Sequence, residues 1–172
     1  ISRKWYMKSL SLSRTPLFGL AMLLLFVAPA YSGELHDWNS YDISIPDNCT
    51  GVSSDLLLSG AASGAKITNV RLYAEVQHPR HSDLAIWLTF YDGGWKDLVL
   101  YNQGDLSTSG LLVISRLNLT RWNGLNPNQN WFLSVRDCQS GGVGSSYINF
   151  FELWVTYEVN VPPNSPSSPS HS

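Results

Sequence analysis

Between Ile45 and Tyr157 the chain is a series of short alternating apolar and polar runs, each closed by a cluster of Gly, Asn, Ser or Pro. Val70, Leu72, Ala74 and Val76 interleave with Arg71, Tyr73 and Glu75, the period-2 signature of a strand with one buried face. Leu84, Ile86, Leu88 and Phe90 repeat it, with Ala85, Trp87, Thr89 and Tyr91 on the other side. Asp92-Gly93-Gly94 then supplies a tight turn before a strand over Asp97 to Tyr101, which predicts a hairpin. Further strands are expected at Leu111 to Leu119, Trp131 to Val135 and Phe151 to Tyr157, separated by turn clusters at 107–110, 123–130 and 140–146. After Gly33 no stretch holds a helical period for three turns. One-faced strands must cover each other, so the expected fold is all-β, a single jelly-roll-like β-sandwich.

The segment ahead of the strands reads as an export signal. Met7, Lys8 and Arg14 precede the apolar run Leu17 to Val27, and small residues follow from Ala28, with cleavage expected after Ala30 or Ser32. The apolar run, about 11 residues, is short of the roughly 20 that span a bilayer, so no membrane span is expected after cleavage. This divides the chain into upstream residues and signal peptide at 1–32, a lead at 33–44, the sandwich at 45–160 and a Pro/Ser-rich tail or linker at 161–172. The expected location is extracellular or periplasmic.

Formal charge is −2 for the whole chain, but Arg3, Lys4, Lys8 and Arg14 all lie in the leader, so the domain itself is clearly acidic. That argues against nucleic acid, whose phosphates call for a basic patch. Cys49 and Cys138 are the two cysteines, and in an exported protein an even count favours a disulfide over two buried thiols.

The order of motifs resembles the P domain (P/Homo B domain) of the subtilisin-like proprotein convertases. Ile45-Pro46-Asp47-Asn48 is similar to its opening, Ile67-Thr68-Asn69-Val70 to its second strand, and His78 with Ser82-Asp83-Leu84 to its His-to-Asp-Leu turn. Trp131-Phe132-Leu133-Ser134-Val135-Arg136-Asp137 resembles its Trp-x-Leu-x-Val-x-Asp strand, and Gly141 to Gly144 its Gly-rich turn; together they cover about 110 residues. The departures are Ser140-Gly141-Gly142 where relatives carry Asp, Asn130 for a Gly, and Tyr91 for a Pro. The resemblance implies a non-catalytic module associated with serine endopeptidases and proteolysis, with a partner protein or a neighbouring protease domain.

No catalytic residues are expected: the histidines are His36, His78, His81 and His171, no Gly-x-Ser-x-Gly elbow is present, and an α/β domain to carry a triad is missing from the pattern. His78, His81 and Asp83 could be zinc ligands, but the intervening Pro79 and Arg80 point to a surface turn, with Asp83 accepting backbone N–H bonds. Asp47 and Asp137 flank the cysteines, as a calcium pair, an acid/base pair or simple turn caps. Trp87 and Trp154 fall on the outer faces of their strands and Trp95 and Trp122 in loops, which makes the four candidate binding residues, either for a protein or as stacking platforms for a glycan. Burial under a second sheet is the competing reading. Asn48 and Asn118 begin glycosylation sequons. The functional expectation is thus a secreted P/Homo B-like module for folding support or protein binding, against a carbohydrate-binding or adhesive jelly roll, or a fragment of a larger secreted serine protease.

Overall fold

A computed structural model describes residues 31–139 and 145–160. The expected signal peptide up to Ala30, the Gly-rich turn at 140–144 and the tail from Val161 lie outside the described residues. Among the described residues nine strands are present: β1 Tyr31–Asn39, β2 Ile43–Ser44, β3 Val52–Leu57, β4 Ala65–His78, β5 Leu84–Tyr91, β6 Trp95–Tyr101, β7 Gly110–Leu119, β8 Asn130–Asp137 and β9 Tyr147–Val159. Among the described residues the one helical element is a 3-10 turn at His81–Asp83, and no helix is long and apolar enough to cross a membrane.

The strands form two antiparallel sheets, one ordered β1-β9-β4-β7 with β2 added on β9, the other β3-β8-β5-β6. The alternating apolar residues of the sequence are the two inward faces of this sandwich. Val70, Leu72, Ala74 and Val76 of one sheet and Leu84, Ile86, Leu88 and Phe90 of the other are all at or below 1% exposure, as are Leu133, Val135, Leu153 and Val155. The expected hairpin is present, with Tyr91 opposite Trp95 and Thr89 opposite Asp97. It places Trp95 in a strand, where the sequence reading had a loop.

The lead at 33–44, for which no strand pattern was read, contributes most of β1, which pairs with β9 over nine positions, from Tyr31↔Val159 to Asn39↔Phe151. Its own apolar signal is weak, because it presents Glu34, His36 and Trp38 outward and only Leu35 packs on the core. What fixes it is the backbone of β9, a 13-residue strand that would otherwise carry a long unpaired edge.

The loop after β7 fills the middle of the sandwich. Gly124, at φ 84°, makes a bend that an L side chain resists, and its N–H donates to the carbonyl of Ile67 at 2.8 Å while Ile67 N–H donates to Leu125 at 2.9 Å. Tied to β4 in this way, the loop drives the Trp122 ring against Trp131, centroid to centroid 5.0 Å, and Phe90 at 6.4 Å.

Candidate functional site

On the outer face of the β3-β8-β5-β6 sheet, register brings four aromatic positions together. Tyr91 on β5 faces Trp95 on β6, Thr89 faces both Phe132 on β8 and Asp97 on β6, and Trp87 faces Val99. Trp95 meets Tyr91 at 5.0 Å and Phe132 at 5.4 Å between centroids, both edge-to-face, the arrangement aromatic quadrupoles favour. These rings surround Thr89 and leave it buried, while Trp95 itself is 65% exposed. Leu57 and Val99 extend the apolar surface, and Asp55 and Asp97 border it. Arg136 covers the Trp87 ring, its guanidinium carbon 5.1 Å from the centroid.

Beside Trp95 lies a cleft of about 500 Å³ lined by Trp95, Lys96, Asp97, Arg121 and Trp122. β6 supplies the first three and the loop after β7 the other two.

The four tryptophans named from the sequence therefore separate. Trp87 and Trp95 share one face. Trp122 is in a loop, as expected, but is fully buried, and its indole N–H donates to the carbonyl of Lys96 at 3.2 Å. A ring with no exposed surface cannot be a stacking platform, and this corrects the reading of Trp122 as a surface contact. Trp154 lies on the opposite sheet, held between His36 at 5.0 Å in a near-parallel stack and the Arg71 guanidinium at 5.0 Å. Glu152 and Glu34 in turn bind those two groups, at 2.7 and 2.8 Å. On the same face the Tyr73 hydroxyl donates to Glu75 at 2.6 Å, which holds the phenol above its ordinary pKa because ionisation would lose that bond and set a negative charge beside Glu75 and Glu152. Both broad faces of that tryptophan are occupied.

The remaining candidates converge at one end of the sandwich. Cys49 and Cys138 are joined in a disulfide. Asp47 forms a parallel backbone bridge with Asp137, and the N–H of Cys49 donates to the Asp137 carbonyl at 2.7 Å. The Asp137 carboxylate is buried, and both oxygens are engaged: Oδ2 accepts from His78 Nε2 at 3.0 Å and Oδ1 from the N–H of Gln139 at 3.1 Å. The second bond is an Asx turn, the capping alternative raised for this residue. Asp47 is exposed. Among the described residues no group of three or more His, Cys, Asp or Glu stands close enough to hold a metal ion.

The His78-to-Asp83 segment is not the surface turn expected. His78, His81 and Asp83 are all buried, at 0%, 1% and 4% exposure. Each ring nitrogen of the histidines already has a neighbour: His78 Nδ1 lies 2.7 Å from the Arg80 carbonyl and 3.0 Å from the Arg80 N–H, and His81 contacts the Thr108 hydroxyl at 2.8 Å and the Gly110 carbonyl at 3.0 Å. A carbonyl can only accept, so Nε2 of His81 carries the proton and Nδ1 accepts from Thr108. Asp83 does not cap with backbone N–H groups. Its carboxylate accepts from the Ser82 hydroxyl at 3.0 Å and stands 3.3 Å from Arg80 Nε, an ion pair rather than a hydrogen bond. The turn is buried because residues 105–110, which no strand pattern marked, fold over it and supply Thr108 and Gly110. Asp137→Ala, which strands the buried N–H of His78, is expected to cost about 1–3 kcal/mol in urea unfolding, and Asp137→Asn less than half of that, since the amide keeps an acceptor oxygen.

No family model matches the chain, and no curated protein matches it in sequence. Among solved structures it is similar to the one described as the crystal structure of FLHE, with a TM-score of 0.51 and 11% identity over 73% of this chain and 96% of that one. That likeness establishes the sandwich fold. A serine protease of Aeromonas sobria overlays with a TM-score of 0.48 and 16% identity over 75% of this chain, which spans 27% of the protease. The VP2 subviral particle of infectious bursal disease virus overlays with a TM-score of 0.37 and 15% identity, over 76% and 33% of the two chains.

Proposed function

We propose that this chain is an exported, non-catalytic P/Homo B-like module that supports or holds a partner protein by packing the outer face of the β3-β8-β5-β6 sheet against it. The observation that carries the reading is the cluster of exposed Tyr91 and Trp95 with half-buried Phe132, a rigid apolar surface bordered by carboxylates. Rigid aromatics contribute a large contact area for little lost rotamer freedom, which is why such groups become interface anchors. The partner surface that fits is apolar, with hydrogen-bond donors opposite Asp55 and Asp97, and a stable complex would bury roughly 1,000 Å² or more.

Two further observations support the P/Homo B part of the reading. The motif residues Asp47, His78, Asp83 and Asp137, scattered along the sequence, meet beside the disulfide, so the resemblance follows a spatially coherent set. The disulfide suits an oxidising compartment.

Photo-crosslinking distinguishes the faces. With a crosslinking residue at position 95 or at position 154, secretion in the source organism is expected to give a discrete protein adduct from position 95 and none from 154. Adducts from 154 alone, or equally from both, would sink the assignment of the face. A second reading, a carbohydrate-binding module on the same face, is favoured by the cleft beside Trp95, which holds cations and a carboxylate that an apolar protein contact does not use.

A further inference from the structure

Lys96, Asp97 and Arg121 line the cleft beside Trp95 at the β6 edge of the sheet, and none of the three side chains has an ion-pair partner among the described residues. In a chain whose acidic residues outnumber its basic ones, two cations lining one opening without a carboxylate bound to them form a local inversion of charge. One wall of that opening is Trp95, 65% exposed, and its volume of about 500 Å³ lies within the roughly 300–1,000 Å³ of small-ligand clefts.

We infer that this cleft binds an acidic sugar, a pyranose carrying a carboxylate, presented by an anionic glycan. Each wall answers to one part of such a ligand. The Trp95 ring offers an apolar face for the C–H side of a pyranose. Lys96 and Arg121 supply cationic donors to the sugar carboxylate, and charge-assisted bonds of this kind are the strong ones. Asp97 is an acceptor without a donor, so it calls for hydroxyl groups. That last requirement separates a sugar from an acidic peptide side chain, which has no hydroxyls to donate. The base of the cleft is held independently of the ligand, because Trp122 is locked in the core and tied to the Lys96 carbonyl at 3.2 Å.

This inference rests on the carbohydrate-binding reading of the face, and the experiment separates the two. Calorimetric titration of the full chain with a galacturonic acid trisaccharide, and with the neutral galactose trisaccharide of the same linkage, is expected to give saturable binding of the acidic ligand and binding about tenfold or more weaker for the neutral one. Arg121→Ala and Lys96→Ala should each weaken the acidic ligand about tenfold and leave the neutral one unchanged, and Arg121→Ala, at an exposed position, should leave the melting temperature in place, whereas Lys96 is half-buried. Raising salt should weaken the acidic ligand alone. Trp95→Ala should weaken both. Equal binding of the two sugars would overturn the acidic specificity and leave a neutral sugar site. No binding of either would overturn the sugar reading altogether and leave the protein-packing function of the face.

Discussion

Reduction of the Cys49–Cys138 bond is expected to lower the melting temperature of the domain by roughly 10–20 °C, equivalent to about 4 kcal/mol. The bond closes a sequence separation of 89 residues, so opening it restores a large conformational freedom to the unfolded chain. It also releases a local constraint. Cys49 sits at φ 63°, a backbone conformation that costs energy for a residue with a side chain, and the segment from Asp47 to Cys49 is joined to β8 by a short backbone bridge. Once freed, that segment has little apolar burial to hold it, since Asp47, Asn48, Cys49 and Thr50 are all exposed. Scanning calorimetry with and without reductant, repeated on the Cys49→Ser, Cys138→Ser pair, measures the effect. A shift of only a few degrees would mean that the His78–Asp137 contact and the backbone bridge secure this end unaided.

Trp122→Ala is expected to destabilise the domain by about 3–5 kcal/mol, the usual cost of emptying a buried aromatic site. The ring has no exposed surface, touches Trp131 and Phe90, and satisfies its N–H on Lys96. The surrounding side chains belong to strands paired on both sides, so the cavity has little means of collapsing. Trp122→Phe should recover more than half of the loss. Trp95→Ala, by contrast, removes a largely exposed ring and should change stability by no more than about 1 kcal/mol. Urea unfolding of the three variants, compared at unchanged slope, measures these differences. If Trp95→Ala proved the more damaging, the aromatic cluster on the sheet face would be a structural element rather than a binding surface.

The contrast between Trp95 and Trp122 shows how far the residues alone lead. Both follow short polar stretches, and nothing within several residues distinguishes a ring that lies on a sheet from one that plugs the core. Loops carry no periodicity, so the fate of a loop side chain depends on where the chain is tied down. For Trp122 that is decided by the Gly124–Ile67 and Ile67–Leu125 bonds, between segments more than fifty residues apart. Trp154 is a similar case. Its outward direction follows from its place in an alternating run, but its occupation on both sides by His36 and Arg71 depends on which strands became neighbours of β9. The cleft beside Trp95 was not visible either, because Arg121 is close to Lys96 only in space.

What the sequence determined by itself is the period-2 burial of the central strands and hence the two-sheet core. Alternate residues from Val70 to Val76, Leu84 to Phe90 and Trp131 to Val135 point inward because consecutive side chains of a strand must alternate, a local rule of the backbone. The pairing of β1, the buried histidine turn and the grouping of aromatic rings on one face were decided only in three dimensions. Each of them depends on hydrogen bonds and contacts between distant segments, and those are set by the order of strands in the sheets, which local alternation does not encode.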